Sequence, residues 1–315
     1  MIPLFDAHCD TITALAFKEQ GLLKNRLHLD LGRAAGYSPY AQFFAIWCDS
    51  MGKDTLSMFE AMRGHFADFQ RELDKNQDKI TLCRTAQDAK DAAQSGKAAA
   101  FFSLEGCEQL GGDVLLLRAA YDELALRMVT LTWNYENSLS GSNADGESRG
   151  LSESGRAFVR ECERLGVIVD VSHLSDPGFR DVAEILDGPF VASHSNSRAH
   201  FPSRRNLTDE QFLELCRHGG VAGINLYAGF ISGRRPCPLL DLTAHIEHFC
   251  ALGGEKSVAL GCDLDGCDTL PEGIGGIEDV HRLYDALLRL NYPEDTLRGI
   301  FYNNMMRVVE KVCNI

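Results

Sequence analysis

The 315-residue sequence predicts a (β/α)8 barrel, and two observations support that prediction. Short apolar runs of strand length alternate eight times with amphipathic stretches of helical period, as in a barrel of repeated strand–helix units. Most of these runs are continuously apolar, which is typical of parallel strands covered on both faces. A doubly wound open sheet is the alternative, but it normally has fewer strands, and no GxGxxG turn follows the first run.

The elements can be located from these patterns in chain order. The predicted strands span Pro3–Asp6, Ala41–Trp47, Ala98–Leu104, Arg127–Trp133, Gly166–Ser172, Pro189–Ser193, Gly219–Leu226 and Ser257–Cys262. The clearest helical stretches are Ser57–Leu73, Val114–Leu126, Ser154–Leu165, Asp209–Arg217, with Thr208 as its N-cap, and Leu242–Leu252. A long helix is predicted over Glu294–Cys313. No linker interrupts this series, so we predict one barrel domain over residues 1–315 that ends in this C-terminal helix.

Composition excludes several classes of function. The chain has 45 acidic and 31 basic residues and a net charge of −14, a balance that repels nucleic acid and anionic membranes. The apolar runs are far shorter than the roughly 20 residues of a bilayer span, and Met1–Asp6 lacks the features of a secretory signal. Eleven cysteines without a CxxC pair favour a reducing compartment over a disulfide framework. We therefore expect a cytoplasmic protein without a membrane anchor.

Metal-binding side chains follow several of the predicted strands. His8 and Asp10 end the first strand and point the same way, because alternate residues of a strand share a face. Glu105 ends the third strand, where an unpaired carboxylate would be costly to bury. His173 and His194 end the fifth and sixth strands. A lone histidine is more often a hydrogen-bonded core residue, but together these five residues indicate a metal site at the carboxyl end of a barrel.

Three histidines and two carboxylates exceed what one catalytic zinc ion takes, which is about three protein ligands and a water. Two ions that share Glu105 would use all five residues. His8 and Asp10 would bind one ion, and His173 and His194 the other. This donor set suits Zn²⁺ better than Mn²⁺, Fe²⁺ or Co²⁺. A hydroxide bridging the two ions would then be the nucleophile at neutral pH.

Two further residues can complete the chemistry. Asp263 ends the eighth strand and can transfer a proton from the attacking water to a leaving amine. Asp265 is its rival, although Asp265 with Gly266 is more typical of a turn. Arg204 and Arg205 follow the sixth strand, where an arginine can pair with a substrate carboxylate; a structural arginine is the alternative.

With these residues in place, the chain resembles the membrane dipeptidase (renal dipeptidase) family of the amidohydrolase superfamily. The resemblance runs from Asp6 to Val308 through six ordered motifs, which are His8–Asp10, Ser103–Gly106, Val169–His173, Ser193–Ser195, Ser203–Asn206 and Gly261–Gly266. It implies a (β/α)8 barrel with two zinc ions, usually in a homodimer. It also implies hydrolysis of dipeptides, often with a D-residue at the C-terminal position.

The resemblance carries roles over to single positions. The five metal ligands are matched, Arg205 matches the carboxylate-binding arginine, Asp263 the proton-transferring aspartate, and Tyr227 a tyrosine of the pocket. One position departs from the pattern: Trp133 stands where well-studied members have a histidine that contacts the scissile carbonyl. An indole N–H can donate one hydrogen bond but cannot accept a proton. Oxyanion stabilisation would then depend on the metal or on a neighbouring donor such as Asn134.

We therefore predict a dizinc dipeptidase acting on a small peptide. A hydrolase that cleaves a lactone, a cyclic amide or an N-acyl amino acid at the same centre is the nearest alternative, and Trp133 is the residue that keeps it open. A catalytically silent metal- or partner-binding barrel is a third reading, because a fold alone does not fix a function. The intact ligand set and Asp263 argue against it.

Overall fold

The computed structural model describes residues 1–18, 20–47, 54–144 and 149–314, and its parallel strands form a closed barrel. The strands are β1 (Ile2–Cys9), β2 (Tyr37–Trp47), β3 (Ile80–Leu82), β4 (Ala98–Glu105), β5 (Leu126–Thr130), β6 (Ile168–Asp170), β7 (Val191–Ala192), β8 (Val221–Ile224) and β9 (Val258–Leu260). They are hydrogen-bonded in the order β2-β1-β9-β8-β7-β6-β5-β4, and β4 pairs with β2 to close the ring of eight. The predicted (β/α)8 barrel is confirmed.

One strand was not predicted. β3 pairs with residues 98–100 of β4, below the point where β5 begins to pair at Phe102. It therefore extends the sheet at one edge and is not a ninth member of the ring. Its three residues are too few to stand out as an apolar run, whereas each of the eight predicted strands overlaps a barrel strand.

The helices of the described residues lie between and around these strands. They are α1 (Thr11–Lys18), α2 (Leu31–Ala34), α3 (Thr55–Lys75), α4 (Ala86–Gln94), α5 (Val114–Leu124), α6 (Glu153–Leu165), α7 (Asp176–Ile185), α8 (Asp209–Arg217), α9 (Ala228–Ile231), α10 (Leu239–Ala251), α11 (His281–Arg289), α12 (Glu294–Arg298) and α13 (Asn304–Val312). Thr208 caps α8 in a capping box with Gln211, as its sequence predicts. No helix of the described residues has both the length and the apolar character needed to cross a bilayer.

The long C-terminal helix predicted over residues 294–313 is confirmed, because residues 294–312 are helical without a break, but its period changes within it. A π-helical stretch, Gly299–Asn303, separates α12 from α13. Directly after it, the buried Asn304 amide donates hydrogen bonds to the carbonyls of Glu255 and Val258, at 2.8 and 2.7 Å. A π-helical turn inside an α-helix changes the helical period locally and so changes the direction of the side chains that follow. The apolar periodicity of the whole segment does not reveal such a turn.

Every strand of the ring contributes at least one fully buried apolar side chain to the barrel interior. The largest from each strand are Phe5, Phe43, Phe101, Met128, Ile168, Val191, Val221 and Ala259. Three of their rings stack with centroids 5.0 to 5.8 Å apart. They precede the predicted site residues in the chain on every strand of the ring except β2, which carries none, so they form a packed layer beneath the carboxyl ends of the strands.

Two glycines allow close packing next to His194. A Cβ atom on Gly223 would lie 1.9 Å from the carbonyl oxygen of Ser193, and one on Gly261 would lie 1.7 Å from it. Both distances are too short for any side chain. Glycine at both positions therefore lets β8 and the chain after β9 approach Ser193 from two sides. The backbone that carries His194 is fixed by this contact.

Candidate metal centre and substrate cavity

The structure brings the first predicted half-site together at the carboxyl ends of β1 and β4. His8 Nε2 lies 3.3 Å from Asp10 Oδ2 and 3.8 Å from Glu105 Oε1. His8 and Glu105 are buried, and ligand atoms of all three residues lie within 4.8 Å of one another. This spacing suits three ligands of one cation.

The second half-site uses the same carboxylate. Glu105 Oε1 lies 3.1 Å from His173 Nε2 and 3.5 Å from His194 Nε2. The two Nε2 atoms are 3.1 Å apart and face each other. These three residues form a second group that could hold an ion, and Glu105 belongs to both groups; His8, His194 and Asp263 form a third. A shared carboxylate between two donor sets is the arrangement expected of a two-metal centre.

The electrostatics of the centre favour a cation. Burial would lower the pKa of His8, but the charges of Glu105 and Asp10 outweigh it and raise that pKa to about 10. Burial raises the pKa of Glu105 well above its ordinary value. It lowers the pKa values of His173 and His194 well below theirs, and so keeps them as the neutral imidazoles that bind metals. Buried carboxylates beside neutral histidines fit a divalent metal ion.

Two neighbours fix the orientation of the second pair of histidines. His173 Nδ1 lies 3.0 Å from Asn134 Oδ1, an oxygen that can only accept, so Nδ1 carries the proton and Nε2 is free. His194 Nδ1 lies 2.7 Å from Ser193 Oγ, which is itself 2.6 Å from the buried carboxylate of Asp170. Because the Ser193 hydroxyl donates its hydrogen bond to that carboxylate, Ser193 Oγ accepts from His194 Nδ1, and the unprotonated Nε2 of His194 also faces the centre.

Asn134 thus has a contact that the sequence did not indicate. It lines the cavity, but its amide oxygen is bonded to a metal-site histidine. Ser193 and Asp170 were not predicted as site residues at all. Their signal lay in the motifs around His173 and His194, because Ser193 directly precedes His194 and Asp170 stands three residues before His173.

The backbone is unusual at two of the predicted site residues. His173 and Asp263 have φ angles of 66° and 57°, in the left-handed region that residues other than glycine rarely adopt. The His173 carbonyl accepts hydrogen bonds from Thr132 Oγ1 at 3.2 Å and from the backbone N–H of Asn143 at 2.8 Å. Such conformations persist where the surroundings hold them, often at functional sites. Asn143 lies in the polar loop that follows β5, whose residues 145–148 lie outside the described ones.

Asp263 faces the first half-site, as predicted. Its Oδ1 lies 3.9 Å from His8 Nε2, while its Oδ2 accepts a hydrogen bond of 2.9 Å from Asn225 Nδ2. Burial raises the pKa of Asp263 to about 6. The rival Asp265 accepts hydrogen bonds of 2.6 Å from both Thr11 Oγ1 and the His28 amide. Those contacts join the chain after β9 to α1 and the segment that follows it, which fits a structural role for Asp265.

A cavity of ≈ 530 Å³ opens beside both half-sites. Arg205 is buried in its wall, and no described residue forms a hydrogen bond with any nitrogen of its guanidinium group. The group lies 5.3 Å from the ring centroid of Phe230. A buried guanidinium without a partner is costly, and it suits a ligand that brings a carboxylate. Arg205 therefore occupies a place where it can bind an anionic substrate group.

The remaining predicted residues also line this cavity. The Tyr227 ring packs edge-on against Phe230, with centroids 4.7 Å apart. Trp133 lies on another part of the wall, 4.7 Å from the ring of Trp47. Trp47 was not predicted as a site residue, although it ends the second predicted strand in the same way as the metal-site residues end theirs.

Comparison with known proteins agrees with this geometry. The family model described as membrane dipeptidase, peptidase family M19, matches residues 1–315. A metallopeptidase from Rhodobacter sphaeroides, solved with a phosphinate mimic of the dipeptide L-Ala-D-Ala, is 30% identical, with 99% of each chain covered and a TM-score of 0.85. A structure described as dipeptidase AC, a metallopeptidase of family M19, is also 30% identical, with 100% of this chain and 99% of that one covered and a TM-score of 0.88. A Klebsiella pneumoniae protein of the pqqA 5′ region is 32% identical over 245 residues, 74% of this chain and 89% of its own.

Proposed function

Because the chain belongs to the membrane dipeptidase family, peptidase family M19, we propose that it hydrolyses dipeptides at a centre of two zinc ions. Family membership makes it a metal-dependent peptidase. One observation in particular supports dipeptides as substrates. Three of the five proposed ligands, Asp10, Glu105 and His173, line the same cavity as the unpartnered Arg205. A substrate with a peptide bond close to its own free carboxylate can engage both at once.

In this proposal His8 and Asp10 bind one ion, His173 and His194 bind the other, and Glu105 binds both. Imidazoles together with carboxylates are a donor set that suits zinc. When bound, the ions would lower the pKa of a water molecule enough to make it a nucleophile at neutral pH and would polarise the scissile carbonyl.

The chain's own residues then orient the substrate and move the proton. Arg205 pairs with the free carboxylate of the dipeptide, which holds the peptide bond over the metal centre. Asp263 accepts the proton released by the attacking water and passes it to the peptide nitrogen, which leaves as an amine. Asn225 holds Asp263 Oδ2, so the opposite oxygen, Oδ1, is the one that faces the reacting groups.

The proposal extends to substrate stereochemistry and to the state of the protein. A relative at 30% identity has been solved with a mimic of L-Ala-D-Ala, and this supports acceptance of a C-terminal D-residue. The whole chain is proposed to act as one catalytic domain in a homodimer, as the family resemblance implies. Ten cysteines of the described residues are free thiols, which suits the cytoplasm. Size-exclusion chromatography with light scattering tests the dimer.

The test is an assay of the purified protein with its metal content measured in the same preparation. L,L- and L,D-dipeptides form the substrate panel, and a lactone, a cyclic amide and an N-acyl amino acid form the comparison panel. We expect two zinc ions per chain and cleavage of dipeptides, with D-residues accepted at the C-terminal position. A fully metal-loaded protein that cleaves the comparison compounds and leaves every dipeptide intact would contradict the proposal.

A further inference from the structure

The cavity has aromatic side chains on two parts of its wall, and the barrel topology places these parts on opposite sides. Trp47 ends β2 and Trp133 follows β5, the two strands that pair with β4 on either side of Glu105. Tyr227 and Phe230 follow β8. Going round the ring of eight from β4, β8 is the fourth strand in either direction. The tryptophan pair and the tyrosine–phenylalanine pair therefore face each other across the metal centre.

Arg205 identifies which side receives the C-terminal end of a dipeptide. Its guanidinium lies against Phe230, on the β7–β8 side of the cavity. With the peptide carboxylate there and the scissile bond over the centre, the amino-terminal residue has to extend toward β2 and β5. The side chain of that residue then meets the tryptophan pair.

We propose that Trp47 and Trp133 form the binding site for the side chain of the amino-terminal residue and that they select apolar and aromatic side chains there. The inference rests on the proposed dipeptidase function and adds the class of substrate. The two indoles touch each other at a centroid distance of 4.7 Å, and the small side chain of Ala14 also lines the cavity. Neither tryptophan is fully buried, so both have surface left for a ligand to cover. Covering apolar surface in this way favours larger apolar side chains.

A cationic side chain is the competing ligand for the same surface. Indole faces attract ammonium and guanidinium groups, and Asp268 lies in the wall of the same cavity. The tryptophan pair and Ala14 offer no carboxylate of their own, which favours the apolar class. Substrates with an amino-terminal lysine distinguish the two classes directly.

The kinetic test uses dipeptides that differ only in the first residue, X-D-Ala with Gly, Ala, Leu, Phe, Lys or Glu as X. We expect kcat/KM to rise with apolar size by at least about ten-fold from Gly to Leu or Phe, with Lys and Glu poor. W47A and W133A should each bring the Leu-to-Gly ratio close to one. W47F and W133F keep an apolar ring and should retain most of the Leu-to-Gly preference. Comparing them with the alanine variants separates loss of the apolar surface from a folding defect.

Phe230→Leu is the matched control, because Phe230 belongs to the opposite aromatic pair. It should lower kcat/KM for every X by the same factor and leave the Leu-to-Gly ratio unchanged. An unchanged ratio in both tryptophan-to-alanine variants would overturn the proposal. A preference for Lys would replace the apolar class by the cationic one and overturn it too.

A binding measurement separates failure of this inference from failure of the proposed function. The chain has two tryptophans, and both lie in this cavity, so its indole fluorescence reports on the cavity alone. Phosphinate mimics of Leu-D-Ala and Gly-D-Ala should change the emission, the first at a concentration at least about ten-fold lower. Mimics that bind in this order to an enzyme that cleaves no dipeptide would contradict the proposed function only. Cleavage of dipeptides with equal binding of the two mimics would contradict the tryptophan site only.

Discussion

The two sides of the cavity differ in how their polar atoms are bonded. On the metal side, the outer ring nitrogens of His173 and His194 are hydrogen-bonded to Asn134 and Ser193. On the substrate side, the buried guanidinium of Arg205 has no hydrogen-bond partner among the described residues. A hydrogen-bonded imidazole keeps its orientation before any ligand binds. A buried guanidinium without a hydrogen-bond partner instead contributes most to binding free energy when a ligand supplies that partner. At the proposed His173–His194 half-site the protein therefore sets the direction of the rings. The buried His8 Nδ1 and the Arg205 guanidinium have no hydrogen-bond partner among the described residues, and a bound substrate carboxylate would supply the one for Arg205.

The largest effect should come from Glu105, which belongs to both metal half-sites. Glu105→Gln should reduce the metal content to at most one ion per chain and activity to the background rate, because the amide cannot supply the shared negative charge. Metal analysis and a dipeptide assay measure both. Glu108→Gln is the control, since Glu108 binds Asn137 and does not line the cavity. Two ions and near-normal turnover in Glu105→Gln would refute its bridging role.

Asp263 lines the cavity and lies 3.9 Å from His8 of the first metal half-site. Asp263→Asn should lower kcat by about 10²–10⁴-fold, the usual contribution of a general acid–base group. Both metal ions should remain, because all five proposed ligands are intact. Turnover within a few-fold of the wild-type value would remove Asp263 from the proton transfer.

Arg205 tests the substrate side alone. Arg205→Lys keeps the charge but loses the planar fork that binds a carboxylate at two points. We expect KM for dipeptides to rise by about 10–100-fold, the equivalent of one or two charged hydrogen bonds, with metal content unchanged. Arg204→Lys changes an exposed neighbour in the same way and should leave KM as it was. Equal effects of the two substitutions would contradict the assignment.

Ser193 tests the metal side without removing a ligand. Ser193→Ala removes the acceptor of the His194 Nδ1 proton and should weaken one metal site by about 10–100-fold. Competition with a chelator measures this affinity. Ser195→Ala is the matched control, because Ser195 Oγ contacts Ser172 Oγ instead of a histidine ring. If chelator removes metal from the two variants equally easily, Ser193 does not orient His194.

The smallest effect is expected at Asn225, which orients Asp263. Asn225→Ala should lower kcat by roughly ten-fold, with KM and metal content unchanged, since its amide holds Asp263 Oδ2. Asn196→Ala removes a partner of the Asn225 backbone but does not touch Asp263. Asn196→Ala should lower the melting temperature and leave kcat nearly unchanged. A loss of stability without a loss of kcat in Asn225→Ala would make Asn225 structural.

The metal side could be predicted from the sequence because its geometry follows from strand direction. His8, Asp10 and Glu105 lie in or directly after strands whose apolar runs are visible, and parallel strands end on the same face of the barrel. His173 and His194 follow very short strands, β6 and β7, but still within three residues of their ends. Counting ligands then suggested two ions without any knowledge of distances.

The substrate side was harder to predict because its contacts join loops from distant parts of the chain. Asn225 reaches Asp263 across 38 residues, and Trp47 meets Trp133 from the other side of β4. Neither contact leaves a periodic pattern in the sequence. β3 and the π-helical stretch leave no such pattern either, because each has only a few residues. Contacts with neighbouring elements determine their structure more than the spacing of their own apolar residues does.

The central claim, a two-metal dipeptidase, is tested most directly by returning zinc to metal-free protein while dipeptide hydrolysis is followed. The account predicts that activity develops fully only as the second equivalent of zinc is bound. Full activity without metal, saturation at one equivalent, or no dipeptide hydrolysis with two ions bound would contradict it.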